Sequence, residues 1–432
     1  MALASALPER SSALRIWRWR VFVSTWLCYV GMYFCRKPFS VVKSAMGTEL
    51  AFSAWDLALI GTAYLVAYTV GQFLSGAIGP RLGPRVMLLT GMAISIGCAF
   101  AFGLTDAFVW FVVLMIVNGL AQAVGWSNCV GTMASWFHRG ERGTVMGIWA
   151  TCFQVGNVVA PALAAWVLHH YGFRYAFFAG AVVLMGVWLV VFFNQANHPE
   201  DKGLPPVVDP RDVAVPLDPT SASGAVGTPV RWSRQVWITV LLVGGAYFGM
   251  KFIRYALDSW APFFLARNFG LADDDAGYVS TVFGMAGIGG VMLSGWASDR
   301  LFNGRRATLS FLLICGVVAS TIAMVTVGTQ TAMAFAVCVG LIGFTLYGPD
   351  ALLTGAGAMD IGGGHGAVRA AGIISGLGSA GSVVQELLIG KLYTQSGGAI
   401  GPVLATLLGS ALLTAACLGA ILVRNRRGLS DV

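Results

Sequence analysis

Charged side chains are scarce in this chain: they make up 11% of 432 residues, against about a quarter in a soluble domain. That scarcity excludes an ordinary water-soluble protein. Histidine is limited to His138, His169, His170, His198 and His365, all in loops or at the ends of apolar stretches. There is no H-E-x-x-H, no G-x-S-x-G and no Ser/His pair inside an apolar stretch. Hydrolytic and zinc chemistry therefore lack their usual groups, and no enzyme, metal or cofactor is expected. The eight cysteines (Cys28, Cys35, Cys98, Cys129, Cys152, Cys315, Cys338 and Cys417) contain no C-x-x-C pair. All lie in apolar stretches, so buried free thiols are expected and a disulfide framework is not. Asparagine never occurs as N-x-S/T, and lysine supplies only five of the 27 basic residues, a balance that fits a bacterial inner membrane. The first apolar stretch is too long for a signal core and reads as an uncleaved first span.

What is abundant is apolar length. Hydrophobic residues make up 57% of the chain, with 56 glycines among the rest. Twelve apolar stretches are read near 21–45, 55–78, 86–105, 108–136, 142–168, 173–194, 235–265, 276–298, 307–328, 331–358, 366–394 and 400–423. Each has at least about 19 residues, enough at 1.5 Å per residue to cross a hydrocarbon core of about 30 Å. The fold class is an all-α integral membrane protein with twelve transmembrane helices. Arg10, Arg15, Arg18 and Arg20 precede the first span; Arg81, Arg85, Arg139, Arg142, Arg300, Arg305, Arg306 and Arg369 fall in alternate loops; Arg424, Arg426 and Arg427 close the series. The opposite loops hold little beyond Lys43, Arg174 and Arg267, with Asp273, Asp274 and Asp275 adding negative charge. By the positive-inside rule both termini and the long central loop are cytoplasmic. The net charge of +8 thus reflects topology, and no nucleic-acid partner is expected.

That central loop, residues 195–234, is rich in Pro, Asp, Ser and Gly (Pro205-Pro206, Pro210, Pro216, Pro219, Ser221 to Gly224) and reads as a solvated linker. It divides the chain into a six-helix bundle over 1–194 and a second over 235–432. Each bundle carries the same phrase in its first span: Gly31-Met32-Tyr33-Phe34-Cys35-Arg36 and Gly249-Met250-Lys251-Phe252-Ile253-Arg254. A lone arginine near a span end can snorkel to the headgroups. Two in matching registers, with Arg254 deep in a long span, point to a shared anion site between the halves. A guanidinium fork offers two parallel donors and stays charged at any accessible pH. A carboxylate satisfies one fork, whereas a dianionic phosphoryl group satisfies two.

Lys37 and Lys251 add charge beside each arginine, and Asp258, four residues after Arg254, is expected to hold Arg254 or a lysine in the empty site. Polar stripes at helical spacing run along other spans: Tyr29, Tyr33 and Arg36; Tyr64, Tyr68 and Gln72; Thr151, Gln154 and Asn157; Ser375, Ser379, Ser382 and Glu386. Singly, such residues often bond a neighbouring helix; together they are expected to line a polar cavity. Asp350 and Glu386 are intramembrane acids for which a site lysine or substrate hydroxyls are both open partners.

Two six-span halves with a midplane site make the architecture of the major facilitator superfamily. Gly295-Trp296-Ala297-Ser298-Asp299-Arg300, then Gly304-Arg305-Arg306, matches that superfamily's cytoplasmic loop signature G-x-x-x-D-R-x-G-R/K-R, with an insertion before the second glycine. Its counterpart, Gly76 to Arg85, has Pro80 where the acid normally stands. That acid normally pairs across the cytoplasmic gate or caps a helix end.

Within the superfamily the chain resembles the organophosphate:phosphate antiporters, which include glycerol-3-phosphate and hexose-phosphate transporters and sugar-phosphate exchangers. The resemblance is carried by Tyr29-x-x-x-Tyr33-x-x-Arg36-Lys37-Pro38-Phe39 in the first span. Arg254-Tyr255-Ala256-Leu257-Asp258-Ser259-Trp260-Ala261-Pro262 resembles the seventh-span R-Y-x-x-x-D-W-x-P, allowing a one-residue offset. Glu141-Arg142-Gly143 with Trp149, Asn197 to Asp201, and Tyr347-Gly348-Pro349 extend it over about residues 15 to 425. The resemblance implies that Arg36 and Arg254 bind phosphate, with Tyr29, Tyr33, Lys37, Tyr68 and Tyr347 nearby. It implies uptake of an organic phosphate in exchange for inorganic phosphate. The protein is expected to be a monomer in the lipid bilayer. The alternative within the family is a membrane-bound sugar-phosphate sensor that signals to a kinase partner. Two departures are notable: many bacterial members have lysine at Gln72 and histidine at Phe153. Both remove charge or a titratable group, and the organic part of the cargo stays open.

Overall fold

The computed structural model describes residues 2–52, 54–207, 232–271 and 273–429. Most of the expected linker, 208–231, lies outside the described residues, as do the side chains of Arg10, Asp273, Asp274, Asp275 and His365. The described residues form helices and no strands. Ten helical stretches among them are long and apolar enough to cross a membrane: Pro84–Leu104, Phe108–Trp136, Arg142–Tyr171, Phe173–Asn194, Arg234–Ala261, Thr281–Arg300, Arg306–Gly328, Ala332–Gly362, Gly366–Tyr393 and Gly401–Arg426. They coincide with the apolar stretches from the third onward. The first two spans come from α1 (Ala2–Tyr33) with α2 (Pro38–Glu49), and from α3 (Ala54–Leu82). The protein is an all-α integral membrane protein of twelve spans in two six-helix bundles.

Three spans are interrupted where the sequence reads as continuous. The first breaks at residues 34–37, between α1 and α2, and Pro38 is the cause. Proline lacks an N–H and clashes with a preceding helical turn, so the chain tightens before it. Phe34 N–H bonds the Gly31 carbonyl at 3.0 Å and Arg36 N–H bonds that of Tyr33 at 3.1 Å, in i to i−3 fashion, before α2 restarts with Pro38 at its first turn. The fourth span is split at Ala123 between α5 (Phe108–Gln122) and α6 (Val124–Trp136). The fifth is split between α7 (Arg142–Trp149) and α8 (Cys152–Tyr171). α4 (Pro84–Leu104) and α9 (Phe173–Asn194) complete the first six spans. The last six are α10 (Arg234–Phe269), α11 (Asp273–Arg300), α12 (Arg306–Ala323), α13 (Ala332–Ala351), α14 (Ala358–Gln395) and α15 (Gly401–Arg426). Single π-helical turns follow α12 at Met324–Gly328 and α13 at Leu352–Gly357.

The described residues gather into two compact units. The first takes in those of Met1–His138, Thr151–Val230 and Gly362–Gly372; the second those of Arg139–Ala150, Arg231–Ile361 and Ile373–Val432. In lipid the tails are as apolar as leucine, so close van der Waals packing and interhelical hydrogen bonds hold such bundles. In the first unit Phe39, Val42 and Met46 of α2 pack with Phe102, Phe111, Phe173 and Phe177, which anchors α2 beyond the break. α9 approaches the break itself at Gly180, where a Cβ would fall on the Phe34 carbonyl oxygen. In the second unit α14 meets α10 at Gly378, where a Cβ would run into the Tyr247 ring. Both close approaches need a residue without a side chain.

The loop signature organises one end of the second unit. Asp299 accepts the Thr144 backbone N–H at 2.5 Å, in the first turn of α7, and Arg306 Nη1 at 2.5 Å. Arg306 is fully buried; it also donates through Nε to Asp360 at 3.3 Å and through Nη2 to the Arg139 carbonyl at 2.8 Å. Asp360 in turn takes Arg142 at 2.9 Å. The signature acid thus caps a helix end, satisfying one of the donors that every helix start leaves open. All eight cysteines are free. Six are buried as expected; Cys315 on α12 is exposed and Cys417 on α15 half-buried, a correction to the sequence reading. A thiol is apolar enough to sit on the outward face of a membrane helix.

Candidate anion-binding site

The break in the first span sets Arg36 on a turn instead of a helix. The turn's freed carbonyl at Cys35 accepts Asn118 Nδ2 at 3.0 Å. Asn118 Oδ1 takes Gln122 Nε2 at 3.3 Å, and Gln122 Oε1 takes both Arg36 Nε at 2.9 Å and the Tyr64 hydroxyl at 3.2 Å. The network runs from the broken backbone back to the guanidinium of the next residue, and fixes it. The Arg36 guanidinium carbon stands 5.0 Å from the ring centres of both Tyr33 and Tyr68, which add cation–π attraction. Its Nη2 is buried and donates no hydrogen bond among the described residues, and no carboxylate there pairs with it. A guanidinium so enclosed, with an open donor and no counter-charge, suits an anion.

Of the residues read from the sequence, Tyr33 and Tyr68 sit directly against Arg36. Tyr29 follows Tyr33 with ring centres 6.0 Å apart, and Phe153 packs on Tyr29 at 5.1 Å. Lys37 lies in the same turn, before α2. Gln72, buried one turn beyond Tyr68, does not hydrogen-bond Arg36, and neither does Gln154 on α8; each has a buried Oε1 without a partner among the described residues. Asn157 Oδ1 is in the same position. Thr151 accepts Trp26 Nε1 at 3.1 Å, the helix-to-helix bond that such a residue commonly makes.

Arg254 occupies the corresponding first span of the second unit, but on an unbroken helix. It is buried at 6% exposure and donates through Nη1 to Asp350 Oδ2 at 2.7 Å. Its guanidinium carbon lies 4.9 Å from the Tyr347 ring centre and 5.9 Å from that of Tyr255. Lys251 is also buried and donates to Ser379 Oγ at 2.8 Å, under the Tyr247 and Tyr255 rings. The sequence reading expected Asp258 to hold Arg254 or a lysine and left the partner of Asp350 open. In the structure Asp350 on α13 pairs with Arg254, and Asp258 lies exposed one turn along α10. A neighbouring helix thus brings a carboxylate to the arginine. Asp350 is held by its own local structure: Pro349 precedes it, the π-helical turn follows, and its carbonyl accepts the Thr354 hydroxyl at 2.6 Å. Its Oδ1 has no partner among the described residues.

Asn118, Gln122 and Gln385 were missed in the sequence. The first two stand four residues apart in an apolar run, the same signal that drew out the tyrosine stripes. Glu386 accepts Gln385, Trp260 and Ser259, none of them a cation.

A family model described as Major Facilitator Superfamily matches residues 25–385. Among curated relatives, "Sugar phosphate exchanger 3" of Bos taurus is 28% identical, over 87% of this chain and 87% of its own. "Glycerol-3-phosphate transporter" of Bacillus subtilis is 28% identical over 85% and 83%. "Membrane sensor protein UhpC" of Salmonella typhimurium is 25% identical over 80% and 78%. The solved structure of the human organic anion transporter MFSD10 superposes with a TM-score of 0.71 at 16% identity, covering 93% of this chain and 99% of the other.

Proposed function

The chain belongs to the Major Facilitator Superfamily, and from that premise we propose that it exchanges an organic phosphate for inorganic phosphate by alternating access. The cargo class is a glycerol phosphate or sugar phosphate type of molecule, as in the names of two relatives. Arg36 and Arg254 are its phosphate-binding groups. Lys37, Lys251, Tyr29, Tyr33, Tyr68, Gln72, Gln154, Tyr347 and Asp258 make up the surrounding polar lining. The bundles 1–194 and 235–432 are the two halves of the transporter, joined by 195–234. Both termini lie in the cytoplasm of a bacterial cell and the protein in the inner membrane, a reading that the arginine-rich alternate loops support.

The observation that carries the reading is Arg36: a guanidinium with a buried open donor, fixed by Gln122 and flanked by two tyrosines, with no carboxylate partner among the described residues. An uncompensated arginine inside a membrane costs about 3 kcal/mol or more. A bound phosphate removes that cost, and its departure restores it. An empty carrier therefore meets a barrier that a loaded one does not, which makes transport an exchange.

The test is uptake of labelled inorganic phosphate into phosphate-loaded proteoliposomes, competed by a panel of organic phosphates. Saturable uptake blocked by glycerol 3-phosphate or hexose phosphates is the expected result. Binding of a competitor with no exchange would instead favour a sensor, and neither binding nor exchange would sink the phosphate assignment.

A further inference from the structure

Glu386 is an acid that phosphate binding does not use. It lies on α14 within the span Gly366–Tyr393, yet its side chain is exposed. An ionisable group at such a position marks a functional site by default, and its partner has to be found. Three neutral donors converge on one oxygen, Oε2: Gln385 Nε2 at 2.9 Å, Trp260 Nε1 at 3.3 Å and Ser259 Oγ at 3.5 Å. Among the described residues Oε1 accepts nothing, and no lysine or arginine pairs with the carboxylate. The carboxylate is thus oriented by the protein but not neutralised by it.

A second, independent acceptor stands beside it. Gln385 is 2% exposed, and its Oε1 has no hydrogen-bond partner among the described residues. The orientation of this amide follows from Glu386: exchanging its oxygen and nitrogen would set two oxygens 2.9 Å apart against a carboxylate. An open carboxylate oxygen and an open amide oxygen therefore lie on adjacent residues, and both call for donors.

We infer that Glu386 and Gln385 bind the protonated amine of the cargo, so that the organic phosphate is an aminated, zwitterionic one, a phosphate ester or phosphonate with a primary ammonium group. This deepens the exchange reading above and rests on it for the phosphate end. An ammonium supplies three donors and a positive charge, whereas a hydroxyl supplies one donor and no charge. The half-buried Trp260 ring next to Glu386 is a surface that cations favour. Ser259 and Trp260, which hold Glu386, lie on the same helix as Arg254, five and six residues further along α10.

The experiment compares 2-aminoethyl phosphate with 2-hydroxyethyl phosphate, which differ in the terminal group alone. Both compete against labelled inorganic phosphate in phosphate-loaded proteoliposomes. In the wild type the amine should compete better by about 10-fold or more, as a charge-assisted hydrogen bond warrants, and in Glu386→Gln the ratio should fall to about one. Equal competition by the two compounds in a wild type that exchanges phosphate would overturn the inference and leave the exchange reading standing. If the wild type exchanges no phosphate, the same two compounds are compared by their thermal stabilisation of the purified protein. Greater stabilisation by the amine would then uphold the ammonium site without antiport, and no difference would overturn it.

Discussion

Arg36→Lys lowers phosphate exchange in proteoliposomes by about 100-fold or more, although it keeps the positive charge. The reason lies in how the guanidinium is divided. Its Nε is committed to Gln122 at 2.9 Å, its plane is flanked by Tyr33 and Tyr68, and Nη2 is left open. One group of the side chain fixes orientation while another meets the ligand. A lysine ammonium can do only one of these at a time, and it gives up the two-pronged geometry that phosphoryl oxygens match. Hydrogen bonds to charged groups contribute about 1.5–3 kcal/mol each, so losing one ligand bond together with the orienting bond amounts to about two powers of ten or more. Exchange within threefold of wild type would mean that Arg36 contributes charge alone. Initial rates at saturating and subsaturating phosphate, normalised to reconstituted protein, make the comparison.

The second large effect concerns stability. Asp350→Asn removes the carboxylate paired with a buried Arg254 and leaves the arginine's charge behind. Breaking one side of a buried pair destabilises by about 3–5 kcal/mol, because the surviving charge stays desolvated. Phosphate is the natural replacement for the missing negative charge. The midpoint of thermal unfolding in detergent should therefore drop in Asp350→Asn, and inorganic phosphate should raise it by more than it raises the wild type. A variant with a wild-type midpoint, or one that phosphate stabilises no more than wild type, would remove Asp350 from this role.

The sequence was informative where the physics is one-dimensional. A span is a run of apolar residues long enough for the bilayer, so the ten stretches from 86–105 onward agree closely with the helices found there. The paired arginines stood out because a repeated phrase needs no third dimension. The break at residues 34–37 was also legible from Pro38, which lacks the N–H that a continuing helix needs; the length of the apolar run outweighed that local signal. The interruptions at Ala123 and at 150–151 have no proline to announce them. Asp350 is the plainest case of the other kind. Its pairing with Arg254 joins residues 96 apart on two helices, whereas Asp258 was only four away. Helical spacing can propose the near partner but carries no information on which neighbouring helix faces it.

The measurement that goes most directly to the central claim is the rate of phosphate loss from loaded proteoliposomes with and without phosphate on the other side. If Arg36 returns only when an anion neutralises it, loss should be rapid with external phosphate and slower by about tenfold or more without it, given the cost of an unpaired intramembrane arginine. Equal rates in the two conditions would show that the empty carrier returns freely, and would contradict exchange as the protein's mode of transport.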